Sequence, residues 1–176
     1  MRDAFNSFRR ELFKPVVNRL GFEYADSDDV DTVELRTLAI ATAAVTGDEA
    51  TLAEYKRRFA LFVEKDDDSQ IPGDLKDSIY GQSVRFGGAT EYEKVLDVYR
   101  NPKTPAHRTS AIMALCTPED EALLDRTFGL LLSGEVKNQD MGSFIASLGR
   151  NRVSKRKTWE WFKANYDELM VRFKGK

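Results

Sequence analysis

The sequence predicts an all-α protein, specifically a right-handed α-solenoid of antiparallel helix pairs. Apolar residues recur at three- and four-residue intervals, and no stretch alternates polar and apolar residues over a strand length. After the first helix, about four helix pairs follow at intervals of roughly 33 to 40 residues, a period typical of stacked helical repeats. We therefore expect one helical repeat domain over residues 1–176.

The composition is that of a folded chain without a general attraction to polyanions. The 176 residues are 41% hydrophobic and 32% charged, and the formal net charge is -2. Such a chain has room for one domain with its own core, and it has no overall pull toward nucleic acid or anionic lipid. No segment approaches the roughly 20 apolar residues of a membrane span, and residues 1–10 lack an apolar signal core. We expect a soluble, cytoplasmic protein that binds neither nucleic acid nor membrane.

Glycine, proline and polar caps predict where the first helices begin and end. Residues 2–20 carry an apolar stripe in which Pro15 should kink or break the helix, and Gly21 should end it. Residues 32–46, rich in Leu and Ala, predict a closely packed helix. The dipeptide Gly47-Asp48 then supplies a helix stop and the cap of the next helix.

Glycine and proline also predict helix boundaries in the middle of the chain. The pair Gly87-Gly88 is expected to end a helix, and Thr90 with Glu93 forms a capping box for the next one. Tyr92 follows on the expected buried face, so Gly87, Gly88 and Tyr92 are assigned structural roles. Three prolines are placed to open helices at the first turn: Pro72, Pro105 after Thr104, and Pro118 after Thr117.

Residues 133–173 predict two helices joined by a basic loop. The first helix has an apolar stripe that ends at Gly149, a candidate left-handed stop. A longer stripe of the same period runs from Trp159 to Phe173, so Trp159 is expected in the core. Trp161, two residues further on, should face another way and meet a neighbouring helix, with a ligand or another domain as the alternative.

The chain offers few groups for metal or nucleophilic chemistry. His107 is the only histidine and Cys116 the only cysteine, whereas zinc sites need several nitrogen or thiolate ligands. Cys116 lies in an apolar run and is expected to be a small buried side chain. His107 follows a predicted helix start, where a surface or first-turn structural role is expected. The sequence therefore predicts no catalytic and no metal-ligating residue.

Several motifs occur in order along the chain. Residues 87–99 read GGATEYEKVLDVY, residues 135–140 read EVKNQD, and residues 159–169 read WEWFKANYDEL. They resemble the G-G-x-x-E-Y-x-x-V-L-x-x-Y, V-R-x-Q-D and W-x-W-x-x-x-N-W-D-x-L segments of the puromycin-sensitive and aminopeptidase N group of zinc aminopeptidases. With weaker matches upstream, the resemblance spans nearly the whole chain and falls in the C-terminal helical domain of that group.

The resemblance implies a bowl of HEAT-like or armadillo-like helix pairs that closes over a catalytic domain. The H-E-x-x-H zinc motif and the G-A-M-E-N loop of the group are missing here, and Lys137 and Tyr166 replace its arginine and second tryptophan. We therefore expect the later part of a larger, non-catalytic C-terminal domain. Zinc is expected only in a catalytic domain outside this chain, and that domain is the expected partner.

The implied function is to enclose the active-site chamber and to contact the distal end of a peptide substrate. Lys137, Gln139 and Asp140 are the candidate peptide contacts, because a helix start with a lysine suits a peptide carboxylate. In the alternative interpretation, Asp140 caps its own helix and Gln139 bonds to neighbouring backbone.

Other functions fit the sequence less well. A free-standing helical scaffold that binds a protein is the main alternative. A basic cluster between Arg150 and Lys157 could bind nucleic acid, but other charges offset it. Weak self-association is expected if the first helix, with Phe5 and Phe8, leaves apolar surface bare.

Overall fold

The computed structural model describes residues 1–174, and this part of the chain is helical without strands. Its ten α-helices, with one 3-10 turn at Gly73–Leu75 before α4, are α1 (Arg2–Leu20), α2 (Val30–Val45), α3 (Glu49–Lys65), α4 (Lys76–Gly87), α5 (Ala89–Arg100), α6 (Pro105–Leu115), α7 (Glu121–Leu132), α8 (Asn138–Arg150), α9 (Lys155–Ala164) and α10 (Tyr166–Lys174). Neighbouring helices pack in pairs, among them α1 with α2, α5 with α6 and α8 with α9. The all-α class is confirmed, and the pairing agrees with an α-solenoid.

The chain divides into two compact units, Met1–Ser83 and Val84–Lys176, with the boundary inside α4. In the first unit, α2 buries small residues such as Ala39, Ala43 and Ala44, which permit close packing against α1. Phe59 and Phe62 of α3 bury their rings against Tyr80, with ring centroids 5.4 and 5.5 Å away. This aromatic cluster is part of the buried core of the first unit.

Helix caps in the first unit follow the predicted pattern closely. The backbone of Gly47 has φ 82 after α2, and the Asp48 carboxylate accepts a hydrogen bond of 3.0 Å from the Thr51 backbone N–H. Gly21 ends α1, as predicted. By contrast, α1 is one continuous helix through Pro15, and Pro72 precedes the 3-10 turn rather than opening α4.

The second unit has its core on α5, α6, α7 and α8. The buried side chains of α5 are Tyr92, Val95, Leu96 and Tyr99, as the sequence predicts. The Tyr92 hydroxyl lies 2.9 Å from the Thr127 hydroxyl of α7. Cys116 is buried, as predicted, and that burial raises the pKa of its thiol.

Three predicted helix starts in this unit have different outcomes. Thr104 caps α6 with Pro105 in its first turn, as predicted. The capping box at Thr90 is wrong, because Gly88, with φ 80, ends α4 and serves as the N-cap of a helix that begins at Ala89. The cap of α7 is Asp120 rather than Thr117, since the Asp120 carboxylate accepts from the Leu123 backbone N–H at 3.0 Å.

The last three helices also correct the sequence prediction. Gly149 is not a helix stop, because α8 continues through it to Arg150. The apolar stripe from Trp159 to Phe173 is not one helix, since Asn165 separates α9 from α10 and donates its side-chain amide to the Trp161 carbonyl at 2.8 Å. The predicted burial of Trp159 is wrong: this side chain is 58% exposed.

Candidate functional site

The loop before α8 is held in place by α10. The Arg172 guanidinium donates to the carbonyls of Leu131 and Val136, at 2.8 and 2.9 Å. In return, the Asn138 side-chain amide donates to the Arg172 carbonyl at 2.9 Å. A planar guanidinium can serve two carbonyls at once, so the loop that leads to Lys137 is fixed at both ends.

Two of the three predicted peptide-contact residues face solvent at the start of α8. Lys137 occupies the N-cap position and is exposed, and its carbonyl accepts from the Asp140 backbone N–H at 2.9 Å. Gln139, in the first turn, is also exposed. Both side chains are therefore accessible to a ligand, and the first-turn peptide dipoles favour a negative charge there.

Asp140 lies on the inner side of the same turn. It is 7% exposed, and its carboxylate accepts a 3.2 Å hydrogen bond from the Tyr99 hydroxyl of α5. The Arg108 guanidinium of α6 lies 3.6 Å from the same oxygen and 5.9 Å from the Tyr99 ring centroid. Asp140 thus ties α8 to two other helices, whereas no side-chain cap hydrogen bond starts α8. Its direct contact with peptide stays a prediction.

The Tyr99 hydroxyl connects this buried network to the exposed turn. Burial, followed by the Asp140 carboxylate, raises the pKa of Tyr99 to about 12, while the Lys137 backbone hydrogen-bonds to the same group. The Tyr99 ring packs edge-on against Phe144, with centroids 5.3 Å apart. Tyr99 and Arg108 are functional candidates that sequence reasoning missed. Their spacing from Asp140 carries no signal, because the three residues meet only through helix packing.

A second candidate surface, which we call the aromatic groove, lies between α8 and α9. It has a volume of about 310 Å³ and is lined by Ile145, Gly149, Lys155, Thr158, Trp159 and Phe162. The Trp159 ring stacks on Phe162 with centroids 6.2 Å apart, and the Lys163 ammonium lies 5.6 Å from the Trp159 centroid. The neighbouring Trp161 turns instead toward α7, where its ring lies 5.7 Å from that of Phe128.

The prediction that Trp161 meets a neighbouring helix is confirmed, whereas Trp159 was wrongly assigned to the core because polar residues occupy the packed face of α9. Ser154 and Thr158 are buried, and with Trp161 they form one helical face. The Ser154 hydroxyl donates to the Leu148 carbonyl at 2.7 Å, and the Thr158 hydroxyl donates to the Ser154 carbonyl at 2.9 Å. Because these hydroxyls are hydrogen-bonded, their burial costs little free energy. As polar residues, however, they interrupt the apolar periodicity from which a buried face is predicted.

A third surface, which we call the acidic groove, belongs to the first unit. It has a volume of about 690 Å³, with Asp28, Glu34 and Asp74 among its lining residues. Its apolar lining includes Val30, which is 72% exposed, and Leu38, which is 55% exposed. Leu38 lies outside the buried face of α2, which consists of Arg36, Ala39, Ile40, Thr42, Ala43 and Ala44.

The described residues do not fit a zinc site. No three His, Cys, Asp or Glu side chains between residues 1 and 174 are grouped so that they could hold a metal ion. The same residues include no helix with the length and apolar character needed to cross a bilayer.

Comparison with known proteins identifies the family. The sequence model of the ERAP1-like C-terminal domain matches residues 1–176. Aminopeptidase 2, mitochondrial, from Saccharomyces cerevisiae is 28% identical over 171 residues, which cover 97% of this chain and 18% of the relative. Alanine/arginine aminopeptidase of the same yeast is 26% identical over 170 residues, which cover 97% of this chain and 20% of the relative. Aminopeptidase M1-A from Oryza sativa subsp. japonica is 26% identical over 171 residues, which cover 96% of this chain and 19% of the relative.

The chain thus spans about a fifth of the length of these relatives. The family match covers every residue of the chain, and the ordered motifs between residues 87 and 169 lie within it. This chain belongs to the ERAP1-like C-terminal domain family.

Proposed function

We propose that this chain is the non-catalytic helical region of an aminopeptidase, where it encloses the active-site chamber and contacts peptide substrate. The observation that carries the proposal is the full-length family match combined with coverage of only 18% of a relative that is named an aminopeptidase. A region of this kind acts through binding energy and closure remote from the reacting bond.

The chemistry of such an enzyme falls to residues outside this chain. Zinc, as the resemblance implies, would polarise the peptide carbonyl and activate water. The described residues offer no metal-binding group. The resemblance to zinc aminopeptidases implies a separate catalytic domain that holds the metal and the catalytic residues. That domain is the proposed partner, and the chain by itself is proposed to be inactive.

Lys137 and Gln139 are the proposed peptide contacts. Both are exposed at the start of α8, where an ammonium group and first-turn peptide dipoles favour a peptide carboxylate. Asp140 is proposed to act mainly as a positioning residue, because its carboxylate is engaged by Tyr99 and Arg108. HEAT-like or armadillo-like stacking would set α8 among the inward-facing helices.

The test uses the full-length parent enzyme with both contacts removed, Lys137→Ala with Gln139→Ala. We expect kcat/KM for a peptide of about ten residues to fall roughly five-fold or more, while turnover of a single-residue substrate stays unchanged, because only long peptides reach a remote contact. The matched control is Lys56→Ala, which removes an exposed lysine on α3. Equal losses on both substrates, or no loss on either, would contradict the peptide contact.

A second candidate function is a helical scaffold for a protein partner. The exposed Trp159 favours it, because exposed aromatic surface marks interaction sites. The discriminating observation is the upstream reading frame: an H-E-x-x-H motif there supports the aminopeptidase, and its absence supports the scaffold.

We also propose that the protein acts in the cytoplasm. The buried, unpaired Cys116 suits a reducing compartment, while one relative carries "mitochondrial" in its name. Fractionation of cells that express the parent protein decides between the two compartments.

A further inference from the structure

We propose that a second copy of this chain docks on the first, with the aromatic groove of one molecule against the acidic groove of the next. The inference rests on two exposed surfaces whose chemistry is complementary. It does not depend on the proposed role in an aminopeptidase.

The aromatic groove offers an apolar anchor with positive charge beside it. Trp159 is 58% exposed, although tryptophan usually has most of its surface covered. Lys155 lines the groove, Arg156 follows it in the exposed first turn of α9, and the Lys163 ammonium lies over the Trp159 ring. Glu160 pairs with Lys163 at 2.8 Å, so the net charge near the tryptophan comes from Lys155 and Arg156. Aromatic side chains and arginine are the residues most enriched at interface hot spots.

The acidic groove combines an exposed apolar lining with negative charge. Val30 and Leu38 form an exposed apolar lining, and Glu34 and Asp74 add negative charge. Asp28, also in the lining, is neutralised by the Arg36 guanidinium 2.5 Å away, which holds the pKa of the Asp28 carboxyl below its usual range. Its volume of about 690 Å³ lies within the range of small-molecule ligand pockets, roughly 300–1,000 Å³.

The two surfaces fit each other better than either fits itself. A pairing of aromatic grooves would bring Lys155 and Arg156 against their own copies, and a pairing of acidic grooves would do the same for Glu34 and Asp74. Like charges across an interface oppose association, whereas opposite rims around apolar centres favour it. Each molecule keeps one surface open after the first contact, so the contact is heterologous and adds molecules head to tail.

The exposed aromatic residues of α1 provide a control for the aromatic groove. Phe5 and Phe8 of α1 are 58% and 59% exposed, close to the exposure of Trp159, and were expected to drive self-association as bare apolar surface. The Arg9 guanidinium lies 5.7 Å from the Phe5 ring centroid, so this surface also combines an exposed ring with a positive charge, and the comparison tests whether the aromatic groove in particular is needed. Phe8→Ser is therefore the control for the removal of an exposed aromatic ring.

Sedimentation of the 176-residue chain tests the contact. We expect the weight-average mass to rise with concentration beyond that of a dimer. Trp159→Ala and Leu38→Asp should each weaken association about ten-fold or more, with Phe8→Ser close to wild type. Circular dichroism confirms that the variants stay folded. An equimolar mixture of Trp159→Ala and Leu38→Asp should give dimers and nothing larger, because each variant retains one intact surface.

Charge reversal provides the second arm. Lys155→Glu should weaken association. Mixing it with the Glu34→Lys, Asp74→Lys double variant should give oligomers larger than dimers, because the two wild-type surfaces pair and the two charge-reversed surfaces also pair with each other. Dimers alone in this mixture would mean that these charges do not meet across the contact. Raising NaCl from about 0.05 to 0.5 M should weaken wild-type association, because the Debye length shortens from about 14 to 4 Å. A wild-type chain that is monomeric at all concentrations would overturn the proposal. So would a loss caused by Phe8→Ser but not by Trp159→Ala, or a variant mixture that stays monomeric.

Discussion

At the scale of single residues, three buried tyrosines differ in how their hydroxyls are satisfied. The Tyr55 hydroxyl donates to Ser78 at 3.0 Å, and the Tyr92 hydroxyl pairs with Thr127 at 2.9 Å. The Tyr80 hydroxyl is buried and finds no hydrogen-bond partner among the described residues. Burial raises the pKa of all three phenols, so each stays neutral. The difference in partners predicts opposite effects of removing the hydroxyl.

We expect Tyr80→Phe to leave the free energy of unfolding unchanged or to raise it by up to about 1 kcal/mol, because a desolvated hydroxyl without a partner opposes folding. Tyr92→Phe should lower it by about 1 kcal/mol, since it removes a buried hydrogen bond. Urea unfolding of the two variants measures both effects. If Tyr80→Phe destabilises as much as Tyr92→Phe, the Tyr80 hydroxyl has a partner, such as a buried water.

At the scale of elements, α9 shows how a helix can bury a polar face. On its packed side, the N-cap Ser154 and Thr158 are buried and donate their hydroxyls to backbone carbonyls, and the half-buried Trp161 packs on Phe128. The opposite face presents Trp159 stacked on Phe162, and the next helix brings Tyr166 edge-on to Phe162 at 5.9 Å. The contribution of each tryptophan to stability therefore follows its face.

Trp159→Ala should lower the free energy of unfolding by less than about 1 kcal/mol, because most of the ring is already in water. Trp161→Ala should cost about 2–4 kcal/mol, since it removes the contact with Phe128. These values depart from the sequence prediction, which placed Trp159 in the core. Denaturant melts of both variants decide the order. A larger loss for Trp159→Ala would mean that the Trp159 face of α9, rather than the Trp161 face, is packed in the core.

At the scale of the whole molecule, the chain belongs to the ERAP1-like C-terminal domain family, and its described residues are helical with buried apolar side chains. Its one thiol is buried, and its described residues hold no metal-binding group. Helical repeats bury their cores by stacking, so such a region can be folded without any cofactor.

We expect the purified 176-residue chain to contain no stoichiometric zinc and to leave aminoacyl fluorogenic substrates uncleaved. Its thermal unfolding should also be insensitive to a chelator, because no bound metal contributes to folding. Zinc analysis, rate assays and melts with and without the chelator are the measurements. Bound zinc together with activity in this chain would refute the inactivity that we propose.

Much of the fold is fixed locally and was therefore predictable. The Gly47 stop, the Asp48 cap and the Thr104-Pro105 start depend on the conformation and hydrogen bonds of a few neighbouring residues. The stripe on α5 depends only on helical periodicity, and it correctly placed Tyr92 and Tyr99 in the core.

The candidate site was predictable only in part, because only some of its features depend on neighbouring residues in the sequence. The motif at residues 135–140 gave Lys137 and Gln139, which are exposed at a helix start. The partners of Asp140 come from α5 and α6, 41 and 32 residues earlier in the chain, so no local pattern connects them.

By itself, the sequence determined the helical class, most caps and the family, because these depend on local conformation and on ordered motifs. Tertiary structure alone decided which face of α9 is buried, since hydrogen bonds to backbone carbonyls offset the cost of burying Ser154 and Thr158. It also decided that Asp140 is engaged between helices while Lys137 remains exposed. Both outcomes depend on groups that are distant in sequence and meet only when the helices pack.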